Sequence, residues 1–278
     1  MPMTLRRTLL WSGHDRILDV AILEGTDSPT RIAVLGAENL SFYRMVAGKW
    51  QTEQALAMNH AQPWPVDLRG RLLWTKDHAL EAYLPGVICR GTTMGSGTLN
   101  CRESDDPWPL AAIANPSSGN GTALLAGFFA SRRNFFTGVI SPSIGKFSTV
   151  SKFYSAAFVP RDKYILWLFA GTDGNVHMID GIRDQTAAIE WGSNIATLRT
   201  ACGAGSQVLA LNASTDKDDS VRAYEFPDRD PVAVSADVDL RGTLSELWTE
   251  PSGDTAIAIV KNRENGNYEA FRLAMACN

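Results

Sequence analysis

The chain has 278 residues, 45% hydrophobic and 20% charged, which is enough apolar material for a full core and too much for a disordered chain. A net charge of −4 without a basic stripe excludes a nucleic-acid binder, because phosphate contacts need clustered Lys and Arg. The apolar runs, such as residues 124–130 (LLAGFFA), are far shorter than the roughly 18 residues that cross a bilayer as a helix, so no transmembrane segment is expected.

Taken in chain order, the sequence repeats one phrase: an apolar strand, a polar turn, then a second strand bearing aromatics. A strand at 5–11 comes first. An apolar strand at 17–23 then precedes a hairpin at 31–46 and a more polar strand at 50–56. The second unit reads 66–68, 71–84 and 87–93, and the third 110–114, 122–139 and 147–152. The fourth reads 156–159, 164–179 and 186–190, and the fifth 195–200, 207–226 and 232–238. The sixth has only 244–249 and the hairpin 255–273. The hairpins start 40 to 51 residues apart. Their first strands are near-continuous apolar runs, as expected of strands covered on both faces. Their turns are rich in Asn, Asp and Gly, which suit tight reversals.

Four strands at this period predict an all-β fold, a single β-propeller over residues 1–278 with six four-stranded blades and seven as the alternative count. The sixth unit lacks an outer strand, and residues 5–11 are expected to supply it and close the ring. A two-sheet sandwich, or two β-domains, is the competing architecture.

The tripeptide Pro-Trp-Pro occurs twice, around Trp64 and around Trp108. Proline lacks a donor and has a fixed φ, so each copy must be a connection between strands. An aromatic recurs at five of the six predicted connections: Trp11, Trp64, Trp108, Tyr154 and Trp191. These rings either fill the wedges between blades or stand exposed as stacking platforms on one face. The same end of the disc is expected to gather His14, Asp15, Arg16, Asn39, His78, Asp162, Asp173, Asn175, Asp216, Asp218 and Asp219. The candidate ligand-binding residues are His14, Asp15, Arg16, Trp64, Trp108, Trp191 and Asp173.

The stretch 168–180, LFAGTDGNVHMID, resembles the repeat of FG-GAP/VCBS-type and quinoprotein-like β-propellers, and residues 17–56 share its cadence. The resemblance implies a propeller serving as an extracytoplasmic binding or scaffold module. The calcium loop DxDxDG of FG-GAP repeats is absent, and the tryptophan docking of quinoproteins is not regular, so no cofactor is expected.

Catalytic signatures are few. There is no HExxH, GxSxG or P-loop, and no cysteine or histidine spacing of a zinc site, so the catalytic residues are unknown and no metal is expected. Gly95-Ser96-Gly97 and Gly203-Ala204-Gly205 read as turns. His14-Asp15 could form a general base, but a polar approach to the first inner strand also explains it. Asp216-Lys217-Asp218-Asp219 reads as a solvated turn before it reads as a cation site.

The four cysteines allow two disulfides or four buried thiols. Cys89 and Cys101 bracket a polar loop. Cys202 and Cys277 end strands on one face of adjacent blades. The expected pairs are therefore Cys89–Cys101 and Cys202–Cys277. Disulfides point to a secreted or periplasmic setting whose signal segment is not in this sequence, with a cytoplasmic one as the alternative. Asn120-Gly121-Thr122 and Asn212-Ala213-Ser214 match the glycosylation acceptor.

The functional expectation is a non-catalytic binding or scaffold propeller that takes a protein or carbohydrate ligand on one face of the disc. The alternative is a carbohydrate-active enzyme, of glycoside hydrolase or lyase type, with its site in the central funnel.

Overall fold

A computed structural model describes residues 2–75, 77–92, 99–114, 121–130, 134–142, 149–181, 183–213 and 216–278. The turn at Gly95-Ser96-Gly97, the acceptor Asn120 and Ser214 of the second acceptor lie outside the described residues.

Strand β1 (Met3–Gly13) precedes β2 (Ile17–Glu24), β3 (Arg31–Gly36), β4 (Asn39–Val46) and β5 (Lys49–Ala57), and β2–β5 pair antiparallel in chain order. A second sheet follows, with β6 (Arg71–Trp74), β7 (Ala79–Leu84), β8 (Val87–Thr92) and β9 (Leu99–Glu103). Then come β10 (Trp108–Ala114), β11 (Thr122–Phe129), β12 (Phe136–Ser141), β13 (Thr149–Pro160), β14 (Ile165–Gly171), β15 (Val176–Asp180) and β16 (Arg183–Ala187). These run as one continuous seven-stranded sheet. In the next sheet β17 (Ile195–Arg199), β18 (Ser206–Asn212) and β19 (Ser220–Glu225) pair in order, and β19 carries two short outer strands, β20 (Val232–Ala233) and β21 (Val238–Asp239). The last sheet is β22 (Gly242–Thr249), β23 (Thr255–Asn262) and β24 (Tyr268–Cys277), with β1 on its outer edge.

The expectation of six four-stranded blades is overturned. Among the described residues four sheets stand as separate blades, and the third and fourth units are one sheet. The join is β13, a 12-residue strand that pairs with β12 through Thr149–Phe153 and with β14 through Phe153–Pro160. The run Phe153-Tyr154-Ser155 holds no Gly, Pro, Asn or Asp to break the strand. Lys152, at φ 54°, instead makes a bulge that bends it.

The second unit also differs in register. Residues 66–68 form no strand, and β6 is the innermost strand, lying against β2. The outer strand there is β9, which pairs with β8 with Cys89 directly opposite Cys101. In the fifth unit the expected outer strand splits into β20 and β21. The fully buried Ser235 sits between them, and its hydroxyl accepts from the Ala223 amide in place of a ladder bond.

Closure by the N-terminal strand is observed, with β1 pairing β24 from Met3 opposite Cys277 to Gly13 opposite Tyr268. Five buried apolar clusters lie between neighbouring sheets around the ring. Leu198 and Leu211 meet Leu244 and Phe271. Leu18 and Leu35 meet Leu72 and Leu84. Tyr83 meets Trp108 and Phe136, Leu168 meets Ile195 and Val208, and Ile17 and Ile32 meet Ile257. This is a β-propeller, with blades that each bury both faces.

The innermost strands leave one edge without a strand partner, and buried backbone groups must be satisfied. Side chains from neighbouring blades do this. Asp19 Oδ2 accepts from the Leu72 amide at 2.7 Å, and Glu246 Oε1 from the Gly70 amide at 2.7 Å. Ser155 accepts from Ile195 N, Thr197 from Phe158 N and Asp219 from Leu244 N. A Cβ at Gly70 would lie 3.0 Å from both Leu18 and Leu35, so the approach of β6 to β2 is too close for a side chain there.

The two axial carboxyls carry a pH dependence. Burial pushes Asp19 up from 3.8 to about 7, opposed in part by the Leu72 and Val20 amides and by Arg71. Burial likewise raises Glu246 well above the usual carboxylate range, against the pull of Arg69 and the Gly70 amide. Each folded carboxyl keeps a proton that the unfolded chain has already released above about pH 4. Stability therefore falls as pH rises from about 4 through 7. Urea melts at constant ionic strength are expected to give a higher midpoint at pH 5 than at pH 8. A midpoint unchanged between pH 5 and pH 8 would show both carboxyls already ionised in the native protein at pH 5.

Candidate functional site

Antiparallel order puts the connections between blades and the turns between second and third strands at one end of the disc. Two open grooves lie there side by side. The first, about 590 Å³, is walled by Trp11, Gly13, His14, Asp15 and Arg16 on one side and by Gly36, Glu38, Asn39 and Tyr43 on the other. The ring centroids of Trp11 and Tyr43 lie 4.1 Å apart. The second, about 690 Å³, runs between Gln62-Pro63-Trp64-Pro65, the Pro85-Gly86 turn and Glu103-Ser104-Asp105.

Arg16 ties the two grooves together. Its guanidinium donates to the carbonyls of Val66 at 3.0 Å and Leu68 at 2.9 Å. Trp64 is fixed from two sides: its Nε1 donates to the Ala37 carbonyl at 2.8 Å, and its ring stacks on His60 at 3.8 Å. Burial lowers His60, but the Gln62 carbonyl and the Glu38 carboxylate, 3.1 Å from Nε2, outweigh it and hold the imidazole above its usual value. Val66 follows Pro65 of the second groove, offers its carbonyl to Arg16 of the first, and is 91% exposed.

The structure thus brings His14, Asp15, Arg16, Asn39 and Trp64 to one surface. Two expected platforms are elsewhere. Trp108 is 2% exposed and sits among Tyr83, Phe129, Phe136 and Trp248. Trp191 is half-buried against Tyr224 and Phe226. Tyr154 lies within β13 and Trp11 within β1, not in connections.

The acidic candidates are dispersed. Asp173 accepts from the Asn175 amide at 3.1 Å and pairs with His177 at 2.9 Å. Those amide and side-chain bonds hold its carboxyl below the usual range. His177 in turn meets the Thr186 hydroxyl at 3.1 Å. Asp218 pairs with Arg263 at 2.9 Å, while Asp219 is buried under β22. Among the described residues no group of three or more His, Cys, Asp or Glu is placed to hold a metal ion.

His78 and Asp162 are at the other end of the disc. Each lies in a turn between the first and second strands of its unit, β6–β7 and β13–β14. His78 was expected with the grooves because the second unit was read one strand out of register. Cys202 and Cys277 are bonded to each other at that end, and Cys89 is bonded to Cys101.

Two features escaped sequence reasoning: the groove wall formed by Pro85-Gly86, and the buried axial charges Asp19, Arg69, Arg71 and Glu246. The latter sit inside or beside the apolar runs 17–23, 71–74 and 244–249, but the groups that bond the two carboxyls belong to other sheets.

The chain is similar in fold to several solved structures. A chain of a mitotic checkpoint complex is 14% identical, with a TM-score of 0.47, over 90% of this chain and 73% of that one. A chain of the BBS1N–ARL6DN complex is 12% identical, with a TM-score of 0.47, over 92% and 78%. The Dos1 propeller is 10% identical, with a TM-score of 0.44, over 92% and 77%. No protein-family model matches, the FG-GAP/VCBS and quinoprotein-like repeats included, and no curated protein matches.

Proposed function

We propose that this propeller is a non-catalytic binding scaffold that docks an extended segment of a protein partner across the paired grooves. The observation that carries this reading is the exposed Val66, held by Arg16 beside two open grooves walled by Trp11, Tyr43, Trp64 and prolines. Proline-rich walls are held rigid before binding, which lowers the ordering cost of association. Amphipathic aromatics give contact area with a polar handle. Open troughs spanning two blades suit a chain more than a compact sugar.

Carbohydrate hydrolysis has no support at the axis. Asp19 and Glu246 are engaged with backbone amides, and Glu250 is paired with Arg272 at 2.8 Å. The two disulfides support a secreted or periplasmic setting for the scaffold.

Val66→Glu places a charge beside the grooves without touching the core. A cross-linked partner recovered with the wild-type chain is expected to be lost with Val66→Glu and kept with Val232→Glu, which alters an exposed apolar residue on another blade. Retention by Val66→Glu and loss by Val232→Glu would move the docking surface away from the grooves. A melting shift with an oligosaccharide and no protein partner would replace this reading with the carbohydrate one.

A further inference from the structure

The cavity on the axis is separate from the grooves. It holds about 500 Å³ and is lined by residues of β6, β10, β11, β13, β14, β17 and β22. Its apolar wall is Leu110, Ala111, Ala112, Leu124, Phe158 and Trp167. A smaller pocket of about 190 Å³, walled in part by Asp19, Trp74 and Trp248, shares Arg71 and Glu250 with it.

The polar groups of this wall divide sharply. The hydroxyls and the carboxylate are engaged: Thr197 accepts from the Phe158 amide, Thr249 donates to the Thr197 carbonyl, Ser252 donates to Asp254, and Glu250 Oε2 accepts from Arg272 and Thr255. The nitrogen donors are not. Arg71 is 8% exposed, its Nε has no partner, and it forms no hydrogen bond or ion pair among the described residues. Its guanidinium lies over the Trp248 ring, 4.9 Å from the centroid. The Nε1 of the fully buried Trp167 also has no partner. A buried, unbonded guanidinium is costly unless something accepts from it. Arg199 adds a second cation at the rim.

We infer that the axial cavity binds a small organic carboxylate, with Arg71 receiving the carboxylate and the apolar wall receiving an aromatic or aliphatic body. Carboxylate and guanidinium match in a two-point fork. A dianionic phosphate fits less well, because the cavity wall offers a single buried cation to two charges. The volume is in the range of small-molecule sites.

The test uses benzoate, 2-naphthoate and decanoate against their neutral amides, by titration calorimetry on the intact, oxidised chain. At least one carboxylate is expected to bind one per chain and its amide to bind about tenfold to hundredfold more weakly, the range for a hydrogen bond to a charged group. Arg71→Met is expected to remove that preference. Ala112→Trp, which fills the cavity from an exposed wall position, is expected to abolish binding whether or not Arg71→Met folds. Failure of all three carboxylates to bind at about 1 mM, a −4.1 kcal/mol threshold, overturns the inference. So does binding that Ala112→Trp leaves unchanged. Neither result bears on the grooves, which share no lining residue with this cavity.

Discussion

Cys202→Ser is expected to destabilise the protein by about 4 kcal/mol, and Cys89→Ser by about 3 kcal/mol or less, in urea unfolding without reductant. The bridges differ in what they close. Cys89 and Cys101 are 12 residues apart and face each other on paired strands of one sheet, so the ladder already restrains them. Cys202 and Cys277 are 75 residues apart and join the β17–β18 turn to the end of β24, in neighbouring sheets. Constraint on the unfolded chain grows with the loop that is closed. There is also a native-state effect. Cys202 packs in the same cluster as Met3 and Leu5, and Met3 pairs with Cys277, so losing the bridge loosens the strand that closes the ring. A larger loss from Cys89→Ser than from Cys202→Ser would contradict this account.

Trp108→Ala is expected to cost about 3–5 kcal/mol, as for other large aromatics emptied from a core. Its ring centroid lies 5.1 Å from Phe129, 5.2 Å from Phe136, 6.2 Å from Tyr83 and 6.4 Å from Trp248. It therefore joins the second sheet, the seven-stranded sheet and the last blade at one point. Trp64→Ala removes one hydrogen bond and a half-exposed stack, a loss of about 1 kcal/mol. Calorimetry is expected to show Trp108→Ala melting roughly 10 °C lower and Trp64→Ala close to the wild type. Equal losses would mean that both tryptophans fill wedges. The two Pro-Trp-Pro copies thus have different work: Trp108 opens β10 and points inward, while Trp64 stays in a connection and walls a groove.

What the sequence made legible was what period and burial dictate. The runs 32–35, 165–170 and 256–260 are buried without a break, and they are strands. The disulfide pairs followed from strand ends, and the closing strand from a unit that lacked one. The second unit misled because Val66, apolar in sequence, is almost fully exposed, while the polar strand β9 carried no apolar signal. The third and fourth units merged because chain direction at Tyr154 is set by a bulge at Lys152, and a lysine does not announce positive φ. Of the site, the β1–β2 residues were visible as a polar quartet. The axial charges were not, since their partners come from strands about 50 to 180 residues away in sequence.

The pairing of β1 with β24 also sets a clock on synthesis. Met3 leaves the ribosome 274 residues ahead of its partner Cys277. At roughly 5–20 residues per second, β1 waits about 15 to 50 s with both edges unpaired. An alternating strand left open is a template for the wrong partner. Arg6 and Arg7, side by side in its middle, put like charges on any second copy that tries to pair there, and so keep nascent chains apart until the ring can shut.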